Sequence, residues 1–292
     1  MAVVVVTSST PGAGKTGVAA AIARHYAYLG RPVKLARLEG ADGDPAADAA
    51  YFASLPFAPG SSAGTLAAGD VRDPGGQELL VVEADTEAAA KIADATVVFV
   101  ARDERPKSAP EGITPAAVIV TDVAPALAGE PQQAEGQPLI IELPEDRVLA
   151  GFSVAEAKAM LNADVLVEGD DEDVTCDELV IAPIASDAGQ PYFTRFGSEA
   201  VVVRFDKTDQ HLAAMRADPA VLILTGGRRP SDYTFDAAGA KGITVLLSRT
   251  DTENTVIALE GIFDQTRFQG ERKLDRMVEL LEETPLFHTL EL

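Results

Sequence analysis

The most constraining feature of this sequence is a glycine-rich segment between a short β-branched run and an alanine-rich stretch. Val3–Thr7 predicts a strand and Lys15–Leu29 a helix, and Ser9-Thr10-Pro11-Gly12-Ala13-Gly14-Lys15-Thr16 joins them. The segment fits the pattern GxxxxGK[ST], with Ser9 in place of the first glycine. Small residues let backbone N–H groups approach phosphate oxygens, and the positive end of the following helix attracts anions. The sequence therefore predicts a phosphate-binding loop (P-loop) at the start of a parallel α/β fold.

This loop predicts a site for ATP and Mg²⁺. Lys15 would reach the outer phosphates, and the Thr16 hydroxyl would bind the metal. Glu83 ends the apolar strand Leu79–Glu83 and supplies the acid that such a site needs, so Lys15 and Glu83 are the candidate catalytic residues. The residues expected to contact the nucleotide are Ser9, Thr10, Pro11, Gly12, Ala13, Gly14, Lys15, Thr16 and Gly17.

Several further charged residues are weaker candidates for the same site. Asp48 and Asp44, after the second predicted strand, are alternatives for holding the metal together with Thr16 and Glu83, and Asp85 lies just beyond Glu83. Lys34, within the strand Pro32–Leu38, is a candidate phosphate or substrate contact. For each of them the alternative interpretation is a solvated surface charge.

Apolar strands alternate with helical segments along the whole chain, which favours parallel sheets buried on both faces. We expect a P-loop NTPase-type parallel sheet with helices on both faces, followed by a second, smaller α/β domain. The domain boundary is predicted at residues 148/149. Ser153 and Glu156 form a capping-box pattern at the first helix of the second domain.

Charge and composition exclude several classes of protein. The 292 residues carry a net charge of −22, and both halves are acidic, which argues against binding nucleic acid. A negative charge spread over the whole chain in this way keeps a protein soluble at high salt, so we expect a halophilic source. No apolar run approaches the roughly 20 residues needed to span a bilayer. The single cysteine, Cys176, excludes an intramolecular disulfide, and a cytoplasmic location is expected.

Polar clusters follow three predicted strands of the second half. Because the carboxyl ends of parallel strands meet at one edge of a sheet, these clusters predict a site for a small-molecule effector. The alternative is a set of tight turns and helix caps, and for Asp251 an N-cap alone explains its position. The candidate effector residues are Asp206, Lys207, Asp209, Thr225, Gly226, Gly227 and Asp251.

The N-terminal half resembles dethiobiotin-synthetase-like P-loop proteins. The matching pieces are Ser9–Thr16, Pro32–Lys34, Asp44–Asp48 and Val81–Glu83. The resemblance implies that Lys15, Thr16, Asp48 or Asp44, and Glu83 assemble ATP and Mg²⁺, and it implies a homodimer.

The C-terminal half resembles the DRTGG domain, found beside such P-loop modules at the N-terminus of long phosphate acetyltransferases. The matching pieces are Ser153–Leu166, Ala200–Met215, Ala220–Gly227 and Gly242–Thr252. The acetyltransferase catalytic domain has no counterpart in this sequence.

Together these observations predict an ATP- and Mg²⁺-binding protein with a nucleotide-dependent regulatory role or slow ATPase activity. One alternative is an ATP-dependent carboxylase or amide ligase of the dethiobiotin or cobyrinate synthase type. The polar residues of the loop Leu55–Gly76 offer no convincing substrate-binding set for such an enzyme. The other alternative is a scaffold or ligand-sensing module without enzymatic activity.

Overall fold

The chain divides into two units. The first comprises Met1–Asp146 together with Lys273–Leu292, and the second comprises Arg147–Arg272. The structure is a computed structural model, and it describes residues 3–40, 43–170, 174–182, 192–195 and 197–290. The sequence predicts a strand at residues 179–184, and the last two residues of that strand lie outside the described residues.

The first unit is built on a six-stranded sheet in which every neighbouring pair of strands is parallel. The strands are β1 (Val3–Ser8), β2 (Val33–Arg37), β3 (Leu79–Asp85), β4 (Thr96–Arg102), β5 (Ala117–Val123) and β6 (Leu139–Pro144). Their spatial order is β2-β3-β1-β4-β5-β6. β1 is buried along its whole length, as expected for a central parallel strand covered on both faces. The predicted fold class, a parallel α/β sheet followed by a smaller α/β domain, is confirmed.

Three helices follow the first strands of this unit: α1 (Lys15–Tyr28), α2 (Pro45–Ser54) and α3 (Thr86–Ala89), with a 3₁₀ turn at Ala68–Asp70. α1 is buried over most of its length and packs against β1, β2 and β3. Asp44 caps α2, and its side chain accepts a hydrogen bond from the Ala47 amide. These connections bring the carboxyl ends of β1, β2 and β3 together beside the start of α1.

The last two helices of the chain lie in the first unit from residue 273 onward, whereas the sequence-based division assigned all of 149–292 to the second domain. They are α9 (Glu271–Glu282) and α10 (Leu286–Leu290). The ring of Phe287 stacks on His25 of α1 with centroids 3.6 Å apart. The Arg24 guanidinium lies 2.6 Å from an Asp275 carboxylate oxygen. The spacing of the apolar residues in α9 indicates a helix with one buried face, but it does not specify which core that face contacts.

The second unit contains a five-stranded sheet, whose strands are β8 (Asp164–Val167), β10 (Glu178–Ile181), β11 (Glu199–Arg204), β12 (Val221–Thr225) and β13 (Thr244–Leu247). Their spatial order is β10-β11-β12-β13-β8. β10 to β13 are parallel, and β8 runs antiparallel at the edge. A separate pair joins β7 (Phe152–Ser153) to β9 (Thr175–Cys176).

The helices of the second unit are α4 (Arg147–Ala150), α5 (Val154–Leu161), α6 (Thr208–Arg216), α7 (Asp232–Lys241) and α8 (Thr252–Glu260). Two helices of the second unit begin at side-chain caps. Ser153 and Glu156 form the predicted capping box at α5. Asp251 caps α8 by accepting a hydrogen bond from the Asn254 amide at 2.9 Å.

Glu199, the first residue of β11, is a buried acid of the second unit. It is 1% exposed, and among the described residues neither carboxylate oxygen has a hydrogen-bond partner. Glu178 stands opposite it on β10. Burial, and then the charge of Glu178, raise the pKa of Glu199 to about 7.

We expect Glu199→Gln to stabilise the protein more at pH 8 than at pH 4.5. The pKa of Glu199 is higher in the folded chain than in the unfolded one, so the unfolded state ionises first. Stability is therefore lost as pH rises from about 4 to about 7, and the loss then levels off. Scanning calorimetry should give a gain in Tm that is about 7–14 °C larger at pH 8. The exposed Glu168→Gln is the control, and an equal gain for Glu199→Gln at both pH values would contradict the expectation.

Among the helices of the described residues, none is both long and apolar enough to cross a membrane.

Candidate functional site

The loop between β1 and α1 contains two glycines in the left-handed region of the backbone. Gly12 and Gly14 have φ values of +70° and +90°, which favour glycine. Gly14 is the N-cap of α1, and no side chain caps the helix. A helix start without a side-chain cap is a favourable position for an anion.

The front of this loop is held by Ser8 at the end of β1. The Ser8 hydroxyl donates to the Thr10 carbonyl at 2.7 Å and accepts from the Thr10 amide at 2.9 Å. The first four predicted loop residues, Ser9 to Gly12, are exposed, whereas Ala13 is buried. The tip of the loop is therefore exposed to solvent, and hydrogen bonds to Ser8 hold its first residues.

Lys15, Thr16 and Glu83 meet beneath the loop. Lys15 and Glu83 are 5% and 2% exposed. The Thr16 hydroxyl donates to Glu83 Oε1 at 3.3 Å. The other Glu83 oxygen, Oε2, is buried and has no hydrogen-bond partner in the described part of the chain. A buried carboxylate oxygen without a partner is costly, which makes it a place where a cation or a donor would bind favourably.

The environment of Glu83 raises its pKa to about 7. Burial is the largest cause, and the nearby Asp48 acts in the same direction. The cations Arg37 and Lys15 lower the pKa, as does the hydrogen bond from Thr16. Lys15 therefore lies close enough to Glu83 for their charges to interact.

Arg37, which the sequence analysis did not single out, is the cation between the two acids. It is fully buried at the end of β2, where it pairs in register with Glu83 of β3. Its Nε atom lies 3.4 Å from Asp48 Oδ2 and 3.7 Å from Glu83 Oε1. The sequence could have indicated this role, because Arg37 is a basic residue between the apolar residues Ala36 and Leu38 of a buried strand.

The other candidate charges of the first unit lie in local interactions. The structure brings Asp48, rather than Asp44, to Arg37 and Glu83. Asp85 caps α3 by accepting a hydrogen bond from the Ala88 amide at 2.8 Å. Lys34 lies on the edge strand β2, and its Nζ atom is 3.1 Å from a carboxylate oxygen of Glu78.

Two further side chains contact the P-loop from neighbouring strands. The Thr121 hydroxyl, on β5, is 3.0 Å from the Ala13 carbonyl. Arg102, the last residue of β4, donates from Nη1 to the Gly12 carbonyl at 3.2 Å. Arg102 lies 90 positions from Gly12 in sequence and Thr121 lies 108 positions from Ala13, so no local pattern identifies either residue.

In the second unit, the ends of β12 and β13 form one hydrogen-bonded cluster. The Gly226 amide donates to the Thr250 carbonyl at 2.7 Å, and the Gly227 amide donates to the Ser248 carbonyl at 3.0 Å. The hydroxyls of Thr225 and Thr252 are 2.7 Å apart. Three of the candidate effector residues, Thr225 to Gly227, are therefore part of a turn whose polar groups bond to one another.

The end of β11 contributes an aromatic ring to this edge of the sheet. A Cβ atom added at Gly226 would lie 2.8 Å from Cδ1 of Phe205. The guanidinium of Arg228 lies 5.7 Å from the centre of the same ring. Asp206 forms an ion pair with Arg204, at 3.1 Å. The candidates predicted from the sequence include Asp206 but not the ring of Phe205.

Comparison with known families identifies this unit. Residues 156–262 match the family model of the DRTGG domain. The C-terminal resemblance is confirmed. Within the DRTGG domain, Lys207 is the N-cap residue of α6 and Asp209 lies in the first turn of that helix.

A solved structure similar to this chain contains the CBS and DRTGG domains of the regulatory region of Clostridium perfringens pyrophosphatase, in complex with its activator diadenosine tetraphosphate. The similarity covers 42% of this chain and 53% of that chain, with 17% sequence identity and a TM-score of 0.35. The chain therefore spans about half the length of that structure.

Proposed function

We propose that the first unit binds ATP with Mg²⁺ at the P-loop and that this binding serves a regulatory role or a slow ATPase activity. The observation that carries the proposal is the meeting of Lys15, Thr16 and the half-satisfied Glu83 carboxylate beneath an uncapped helix start. Lys15 would neutralise charge on the outer phosphates. The amides at the start of α1 would bind phosphate oxygens.

The residues present fit Mg²⁺. Among the described residues no group of three or more His, Cys, Asp or Glu could hold a metal. Mg²⁺ does not require one, because it usually keeps several waters and binds one or two carboxylates together with substrate phosphates. Thr16 and Glu83 would be its protein ligands, with Asp48 nearby. A bound Mg²⁺ would neutralise phosphate charge, and Glu83 Oε2 would gain the partner that it lacks.

The regulatory role is supported by the DRTGG domain and by the loop between α2 and β3. The polar side chains of that loop are engaged with nearby backbone. Ser61 donates to the Ala58 carbonyl and accepts from the Leu35 amide. Ser62 bonds to Gly64, and Arg72 to the Gly69 and Val71 carbonyls. A ligase would need such side chains for its second substrate. An effector site in the DRTGG domain and a homodimer stay predictions.

The test is calorimetric titration of ATP with Mg²⁺ in high salt, which screens repulsion between the acidic protein and the nucleotide. We expect Lys15→Ala to weaken binding about 10- to 100-fold, because it removes a charge-assisted contact to phosphate. Lys34→Ala is the matched control, since Lys34 is bound to Glu78 at the edge of the sheet. We expect it to bind as the wild type does.

Two results would contradict the proposal. The first is a folded wild-type protein that does not bind ATP at millimolar concentration. The second is binding that Lys15→Ala leaves unchanged. The first result would favour the scaffold alternative and direct attention to the DRTGG domain.

A further inference from the structure

Two neighbouring strands hold the outer side of the P-loop by its carbonyl groups. Arg102 at the end of β4 donates to the Gly12 carbonyl at 3.2 Å, and the Thr121 hydroxyl on β5 lies 3.0 Å from the Ala13 carbonyl. The contacts involve consecutive peptide groups. They come from the side of the loop away from β2 and β3, because the order of strands is β2-β3-β1-β4-β5.

Arg102 and Thr121 are themselves fixed. Arg102 Nη2 lies 2.5 Å from Asp122 Oδ2, and Asp122 has a φ of +62°, uncommon for a non-glycine residue. Thr121 also lies 3.2 Å from the Ala101 carbonyl. Its methyl carbon Cγ2 would be 3.4 Å from a Cβ atom at Gly14. The hydroxyl and the methyl group of Thr121 thus both face the loop.

Holding these carbonyls determines where the loop amides point. In a trans peptide the C=O and the N–H of the same unit point in opposite directions, and the structure contains no cis peptide among the described residues. A Gly12 carbonyl turned toward Arg102 therefore turns the Ala13 N–H away from β4. An Ala13 carbonyl turned toward Thr121 likewise turns the Gly14 N–H away from β5.

We propose that Arg102 and Thr121 are positioning residues that orient the Ala13 and Gly14 amides toward the phosphates. The inference rests on the proposed nucleotide binding and deepens it. A loop whose amides already face the ligand loses less conformational freedom on binding, so its affinity is higher. Arg102 acts through the loop carbonyl, and Asp122 holds its guanidinium in place.

Titration of ATP with Mg²⁺ on variants of Thr121 tests the proposal. Thr121→Val replaces the hydroxyl with a methyl group of similar size, and we expect about 2- to 10-fold weaker binding from the loss of one hydrogen bond. Thr121→Ser retains the hydroxyl and should restore binding to within about two-fold of the wild type. Thr96→Val, at the opposite end of β4, is the control and should bind normally.

A second measurement does not depend on the nucleotide. In the free protein, ¹⁵N relaxation of the Ala13 and Gly14 amides should give order parameters of about 0.85 for the wild type and below about 0.6 for Thr121→Val. Wild-type affinity together with unchanged order parameters in Thr121→Val would overturn the proposal. So would weaker binding that Thr121→Ser does not restore. If the wild type does not bind ATP, the proposed function fails, and the relaxation data still decide whether Thr121 orders the loop.

Discussion

Replacing Arg37 with leucine is expected to destabilise the first unit by about 3–5 kcal/mol, the usual cost of removing one partner from a buried ion pair. Arg37 is fully buried, and its Nε atom faces Asp48 and Glu83. Its Nη1 atom also donates to the Leu38 carbonyl at 3.0 Å. Without this guanidinium, the Glu83 carboxylate keeps its burial and loses the largest influence that lowers its pKa.

The double variant Arg37→Leu/Glu83→Gln separates the charge effect from loss of packing. Because the glutamine side chain carries no charge, we expect the double variant to recover more than half of the lost stability. Scanning calorimetry in high salt measures both proteins. Arg31→Leu provides the exposed control, since Arg31 bonds to the Gln77 carbonyl at the surface. If the second substitution recovers nothing, the charge of Glu83 is not what Arg37 stabilises.

Gly226→Ala is expected to destabilise the DRTGG domain by about 2–5 kcal/mol. At a φ of +95°, an added Cβ strains the backbone by about 1–2 kcal/mol. The same Cβ would lie 2.8 Å from the Phe205 ring, so the ring must move, and overpacking of this kind costs about 1–3 kcal/mol.

Gly239→Ala is the matched control in the same domain. Gly239 lies within α7, and a Cβ there would meet nothing within 4 Å. Alanine is favoured over glycine in a helix, so we expect a gain of about 0.5–1 kcal/mol. Calorimetry on the two variants should therefore give shifts of opposite sign. A neutral Gly226→Ala would mean that the turn at the end of β12 rearranges without cost.

The sequence predicts those parts of the fold and of the candidate site that depend on contiguous residues. The strand, loop and helix around Lys15 and Thr16 form one uninterrupted segment, and the capping box at Ser153 spans four residues. Both patterns reflect local hydrogen bonding, which a sequence displays directly. The DRTGG domain was recognisable from its resemblance to a known family, which rests on contiguous pieces such as Ala220–Gly227 and Gly242–Thr252.

The parts that could not be predicted depend on register and on contacts between distant residues. Arg37 reaches Glu83 because β2 and β3 pair at those two positions, and pairing register is not visible in either strand alone. Lys34 carries the same charge but lies three residues earlier, where it pairs with Glu78. Thr121 contacts the P-loop only because β5 lies two strands from β1.

The return of the chain to the first unit has a consequence for the order of folding during synthesis. Residues 147–272 are continuous, so the DRTGG-containing unit can complete its core while the C-terminal helices are still to be made. The first unit cannot complete its packing until the C-terminal helices are synthesised, because Tyr26 of α1 contacts the Phe287 carbonyl across 261 positions of sequence. The first unit therefore emerges first and is completed last. Its P-loop is synthesised long before the helices that contact the C-terminal end of α1.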